Sequence, residues 1–248
     1  MLPYTQTGSG DLKLLFLHFF GSSQREWRHV VKALHDDYTC ITADMPGFGD
    51  AVDVGGFSVE EMSAHVRALI EHFAPAPVAL VAHSFSGKVG MVVAAKPPQN
   101  LRQLILVAPS PLVPEPIPDA QRPVMRIANQ TEQGAEGFIK DSHYRNLSAE
   151  DTQLALEDVL RANKRAWLAW PNAGSLEDWS GRVAELRVPT TLIVGDRDQA
   201  IPLAFQREHT LPLVEKTGGR LMVIKDAAHM LPSEAAEELT RSLREVLA

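Results

Sequence analysis

A single cysteine, Cys40, among 248 residues leaves no partner for an intramolecular disulfide. It lies in the apolar run 38–43, where a thiol packs as a small buried hydrophobe rather than acting as a nucleophile. The chain has no Cys-x-x-Cys, no His-Glu-x-x-His and no phosphate-cradling glycine loop, so no metal or nucleotide cofactor is expected. The apolar run 12–20 is too short to span a bilayer. No basic segment precedes it and no small-residue cleavage site follows, so it reads as a buried strand, with a cytoplasmic protein as the default expectation. A block of basic residues is also missing: 24 Lys and Arg stand against 31 Asp and Glu, a net charge of −7. Nucleic acid and anionic membranes both call for a concentrated basic face, so neither is an expected partner. What remains is 45% hydrophobic and 22% charged residues, ordinary for a globular domain. The length suits one large α/β domain with a sizeable core.

Strand-like apolar runs at 12–17, 38–43, 78–83 and 101–107 alternate with helix-compatible segments at 24–34, 58–73 and 87–95, and residues 2–7 add a short strand. Trp27, Val30, Val31 and Leu34 make one helical stripe, and Ser58 with Glu61 forms a capping box. This alternation predicts a doubly wound, mostly parallel α/β sheet with helices on both faces. From Pro109 to about Arg187 no strand candidate appears, and the proline-rich stretch 109–118 leads out of the sheet. A helix capped by Ser148 carries Leu156, Val159, Leu160, Trp167 and Trp170 at helical spacing until Pro171 stops it. Strands return at 190–194 and 220–225. A last helix, with Ser233 as candidate cap, has Glu234 early and Arg241 and Arg244 late. Residues 1–108 and 188–248 are thus expected to form a core into which 109–187 is inserted.

The run 78–83 ends in His83-Ser84-Phe85-Ser86-Gly87, where strand pattern turns into helix pattern. A serine needs an exposed Oγ, a neighbouring base and waiting oxyanion donors before it can act as a nucleophile. A sharp strand-to-helix turn supplies the exposure, provided the residues two before and two after are small. Around Ser84 they are Ala82 and Ser86; around Ser86 they would be Ser84 and Lys88, and lysine does not fit so close an approach.

The segment Ala82-x-Ser84-x-Ser86 resembles the G-x-S-x-G nucleophile elbow of the α/β-hydrolase family, and the resemblance extends over essentially the whole chain outside the insertion. Gly195-x-x-Asp198-x-x-Ile201-Pro202 resembles that family's acid loop, and Asp226-Ala227-Ala228-His229 its histidine loop. The resemblance implies Ser84 as nucleophile, His229 as base and Asp198 as the acid that orients it, in the family's chain order. It implies an oxyanion hole from the backbone N–H groups of Phe20, in His18-Phe19-Phe20-Gly21-Ser22-Ser23, and of Phe85. It also implies a helical lid at 109–187, part of whose apolar surface faces substrate. Phe19, Trp167 and Trp170 are the candidate pocket residues. Asp44, in Asp44-x-Pro46-Gly47-x-Gly49, is expected to serve its own loop, as is His18. Read alone, Asp196 and Asp226 are equally cap or turn formers. His83, adjacent to the elbow serine, is expected to point away from it.

The expected activity is hydrolysis of a small, largely apolar carboxylic ester, thioester or lactone through an acyl-Ser84 intermediate, without cofactor, on a small-molecule substrate. Similar residues in related proteins break carbon–carbon bonds, make peracids or act on amides. A low-turnover ligand-binding or signalling module is the alternative from a different class.

Overall fold

Residues in the central strands are apolar at nearly every position because both faces of the sheet are covered. In a computed structural model describing residues 1–248, the strands are β1 (Tyr4–Thr7), β2 (Lys13–Leu17), β3 (Thr39–Ala43), β4 (Val78–His83), β5 (Leu101–Val107), β6 (Thr190–Gly195) and β7 (Leu221–Ile224). The helices are α1 (Arg28–Leu34), α2 (Val59–His72), α3 (Phe85–Ala95), α4 (Gln121–Ile127), α5 (Glu132–Lys140), α6 (Ala149–Arg161), α7 (Lys164–Asn172), α8 (Leu203–His209), α9 (Leu211–Glu215), α10 (Leu231–Glu234) and α11 (Ala236–Leu247). The two-residue period of the strands sorts the core into two layers. Leu15, Leu17, Leu80, Ala82, Leu104 and Leu106 face α2 and α3. Leu14, Phe16, Ala79, Val81, Ile105 and Val107 face Trp27, α1 and α11. This is the doubly wound α/β architecture expected from the alternation.

The sheet order is β1-β3-β2-β4-β5-β6-β7, with β1 antiparallel to β3 and every other pairing parallel. From β2 the chain steps outward to β3 and then crosses to β4 on the other side of β2. The order therefore reverses between β2 and β4, the kind of place where open α/β sheets leave a crevice at the strand C-termini. Between β5 and β6 the chain forms helices and no strand. No helix is long and apolar enough to cross a membrane.

Three local expectations need correction. The stripe at 24–34 divides into a 3-10 turn, Gln24–Trp27, and α1. The helix expected from 148 to 170 is two helices. Ala162 leaves the helical region at ψ 141°, and the Asn163 side chain accepts from the N–H groups of Arg165 and Ala166 to start α7, inside which Pro171 lies. Ser233 does not cap the last helix. It falls within α10, and α11 begins after Ala235 with no side-chain cap. The Ser58 capping box forms as read, with the Ser58 Oγ accepting from Glu61 N and the Glu61 carboxylate accepting from Ser58 N.

Candidate active site

Between the end of β4 at His83 and the start of α3 at Phe85 there is a single residue to make the turn, Ser84. It does so at φ 54°, ψ −121°, a conformation that costs a residue bearing a Cβ roughly 1–3 kcal/mol. The surroundings over-determine it. Ser84 N–H donates to Val107 O at 3.0 Å, while Ser84 O accepts from Gly87 N at 2.7 Å and from Ser110 N at 2.9 Å. A Cβ at Gly87 would lie 2.4 Å from Pro109 Cβ, so glycine is required there by close approach. Ser86 is fully buried, and its hydroxyl donates to His18 O at 2.6 Å, tying the elbow helix to the loop after β2.

His229 and Asp198 arrive on the loops after β7 and β6. Ser84 Oγ lies 2.7 Å from His229 Nε2, and His229 Nδ1 lies 2.8 Å from Asp198 Oδ2. The other Asp198 oxygen accepts from Ala200 N at 2.8 Å and Ile201 N at 3.1 Å, which fixes the carboxylate and leaves Oδ2 for the ring. An Nδ1–H bonded to a carboxylate leaves Nε2 as the acceptor for the Ser84 hydroxyl. Burial pushes the His229 pKa down, but the charge and hydrogen bond of Asp198, with Glu115 and Glu26 adding to them, outweigh it and hold the pKa above the ordinary histidine value. Asp196 and Asp226 belong to a separate brace. Asp196 Oδ1 accepts from Asp226 N at 2.7 Å, Asp226 sits at φ 51°, and its carboxylate accepts from Arg197 at 3.0 Å.

The loop after β2 aims its peptides by their hydrogen bonds. Met45 N–H donates to His18 Nε2 at 3.0 Å, so the His18 hydrogen is on Nδ1 and goes to Phe19 O at 2.8 Å. Ser22 N–H donates to the same oxygen at 3.1 Å. Because C=O and N–H of a trans peptide point in opposite directions, tying Phe19 O on one side turns Phe20 N–H to the other. Neither Phe20 N–H nor Phe85 N–H has an acceptor within the chain, although both residues are buried. Buried backbone donors without an acceptor, and a serine hydroxyl that can pass its proton to an imidazole, are the kinds of group that acyl transfer uses.

A narrow apolar cavity of about 10 Å³, room for about one water, lies next to these residues, lined by Phe20, Pro46, Phe48, Phe57, Met62, Phe85, Ala166 and Trp170. Of the three side chains expected around substrate, Trp170 lines this cavity. Trp167 stands behind Phe20, with ring centroids 4.6 Å apart, and its Nε1 donates to Met125 O at 2.7 Å. The Phe19 ring packs against His83, Phe138 and His229.

Sequence reasoning assigned no role to Glu26, Lys88 or Glu115, and Asp44 binds beyond the loop expected of it. Asp44, expected to serve its own loop, accepts from Gln24 N at 2.6 Å and Asp50 N at 2.8 Å. Glu115 is buried where the chain leaves β5, accepts the Ser110 hydroxyl, and has its pKa raised by burial. Lys88 is buried on α3, pushed down by burial, and donates to Gly174 O at 3.2 Å and Glu177 O at 3.0 Å. Glu26 and His83 meet at 2.9 Å. Apart from Asp50 for Asp44 and Ser110 for Glu115, their partners lie about twenty to ninety residues away, so no local spacing announces them. No group of three or more His, Cys, Asp or Glu is placed to hold a metal ion.

Residues 14–241 match the sequence profile of the alpha/beta hydrolase family. Over 251 residues the chain is 28% identical to a pimeloyl-acyl-carrier-protein methyl ester esterase of Sodalis glossinidius, covering 92% of this chain and 90% of that protein. It is 26% identical to a dihydrolipoyllysine-residue acetyltransferase component of an acetoin cleaving system from Pseudomonas putida, over 95% of this chain, and spans 63% of that protein's length. Among solved structures, an esterase from Exiguobacterium antarcticum superposes with a TM-score of 0.88 at 19% identity, covering 98% of this chain and 94% of the other.

Proposed function

The chain belongs to the alpha/beta hydrolase family, and on that premise we propose that it is a serine hydrolase cleaving a small, largely apolar carboxylic ester, thioester or lactone. The observation that carries this reading is the unbroken hydrogen-bonded run from Ser84 Oγ through the His229 ring to Asp198, with Ser84 held in a strained turn. In the proposed reaction His229 Nε2 takes the hydroxyl proton as Ser84 Oγ attacks the carbonyl carbon. Asp198 holds the tautomer and stabilises the imidazolium that forms. The oxyanion is received by the N–H groups of Phe20 and Phe85. Collapse of the tetrahedral intermediate expels the alcohol or thiol, which takes the proton from His229. Water, activated by the same ring, then releases the acid from Ser84. The acyl or alkyl group lies against the aromatic side chains of Phe20 and Phe85, where the cavity must widen to admit it, and residues 109–187 act as a lid, Trp170 contributing its wall. The methyl ester esterase among the relatives supports an ester substrate.

A serine-directed fluorophosphonate tests the reading. Peptide mass spectrometry should find the adduct on Ser84, and labelling should slow sharply in His229→Ala. No adduct on Ser84, or equal labelling in that variant, would overturn the mechanism and favour a ligand-binding module.

A further inference from the structure

Glu26 lies in the 3-10 turn Gln24–Trp27 and His83 at the last position of β4, on the sheet face that Trp27 and α1 cover. Both are buried. The Glu26 carboxylate accepts Phe19 N–H, at 3.3 Å to each oxygen, and lies 2.9 Å from His83 Nδ1. The second ring nitrogen, His83 Nε2, is 2.8 Å from the backbone carbonyl of His229. A carbonyl oxygen only accepts, so Nε2 carries a hydrogen, and the contact between Nδ1 and Glu26 holds one further proton. One hydrogen-bonded path therefore runs from the peptide that precedes the Phe20 N–H, through Glu26 and His83, to the main chain of His229. It joins the loops after β2 and β7 from below the elbow.

We propose that Glu26 and His83 are a positioning pair that sets the oxyanion donor of Phe20 and the ring of His229 in register with each other. The proposal rests on the serine-hydrolase reading. Neither side chain enters the proton path from Ser84 to Asp198. A buried carboxylate–imidazole pair adds little stability over an apolar pair of equal volume, so its contribution here is geometric. Donor and base act on the same tetrahedral centre from different loops, and a misplacement of about 1 Å between such groups costs about 100-fold in rate.

Steady-state kinetics on a neutral aryl ester, with hydrogen–deuterium exchange of the folded proteins, tests the pair. Glu26→Ala and His83→Ala should each lower kcat about 100-fold while KM stays within about threefold, because the loss falls on the transition state. The double variant should be no slower than either single one, the mark of groups acting as a unit. Glu26→Gln should recover most of kcat, since its amide accepts Phe19 N–H and donates to Nδ1. Exchange in Glu26→Ala should quicken in both loops, at 18–22 and at 227–231. If the alanine variants do not fold, Glu26→Met, of similar volume but with only a weakly accepting thioether sulfur, carries the same expectations. Unchanged kcat in folded variants, losses that multiply in the double variant, or faster exchange confined to 18–22 would overturn the pairing. A wild-type protein without ester turnover and with an unlabelled Ser84 would instead overturn the serine-hydrolase reading, and the exchange pattern alone would then decide the pairing.

Discussion

Two carboxylates of one loop, Asp196 and Asp198, face different partners: Asp196 takes a backbone N–H of the neighbouring turn, and Asp198 takes the His229 ring. Asp198→Asn should therefore lower kcat about 10⁴-fold, the scale set when an orienting acid is replaced by an amide that favours the wrong tautomer. Asp196→Asn should stay within about tenfold, since it keeps an oxygen for Asp226 N–H. Near-normal turnover in folded Asp198→Asn beside an inactive Asp196→Asn would reverse the assignment. The sign of the pH response follows from the same contact. A base must be neutral, so kcat/KM should rise with pH through a His229 pKa above the ordinary 6.5. In Asp198→Asn the largest upward influence is gone and burial pushes the other way, so the acid limb of the residual activity should move to lower pH. For folding the raised pKa works oppositely: its stabilisation is full below 6.5 and is lost as pH rises through the folded value. A pH–rate profile of both proteins reads the shift. These residues were legible because each stands in a short motif at the end of a strand pattern. Glu26 and His83 lie 57 positions apart, and no periodicity connects them.

At the scale of elements, legibility tracked whether the deciding chemistry is local. Ser58 and Glu61 satisfy each other's backbone donors within one turn, and β2, β4 and the second half of β5, from Leu104, advertise burial on both faces by apolar runs. The break between α6 and α7 was hidden because Leu156, Val159, Leu160, Trp167 and Trp170 keep one helical spacing across it. Only Asn163, a good cap residue, hints at a second start. What holds α6 in place is tertiary. Its Asp158, 2% exposed, accepts from Ser23 Oγ at 2.7 Å, Arg25 Nη2 at 2.6 Å and Arg161 Nη2 at 2.9 Å. Asp151 pairs with Arg28 at 2.8 Å and His29 at 3.0 Å. Breaking a buried pair typically costs about 3–5 kcal/mol, and Arg25 is one-third exposed and can rehydrate, so Asp158→Ala should cost about 2 kcal/mol. A lower urea midpoint at unchanged slope would show it. An unchanged midpoint would mean that the acidic face of α6 does not hold the helices between β5 and β6 against the rest of the fold.

Across the whole molecule, the C-terminal ends of β2, β4, β6 and β7 bring the loop of Phe19 and Phe20, Ser84, Asp198 and His229 to one rim, beside the reversal in strand order. The cavity at this rim is walled by Phe20, Phe48, Phe57, Met62, Phe85 and Trp170 and offers no cation. Lys88 is the nearby ammonium on the elbow helix, and backbone carbonyls of the insertion already take its hydrogens. A charged acyl or alkyl group would lose its hydration there without gaining a partner, a penalty of several kcal/mol. Neutral esters should thus exceed dianionic esters of equal size by at least about tenfold in kcat/KM, a difference of about 1.4 kcal/mol that survives partial solvation of the charge. The net charge of −7 also repels anions, but that effect acts through solvent and is screened as salt rises. Measuring both substrates at low salt and at about 1 M salt, where screening extends over about 3 Å, separates the two causes. A preference set by the aromatic wall persists in salt, whereas one set by net charge collapses. A dianionic ester turned over better than its neutral analogue at either salt would require a cation at the pocket and would exclude the apolar substrate class.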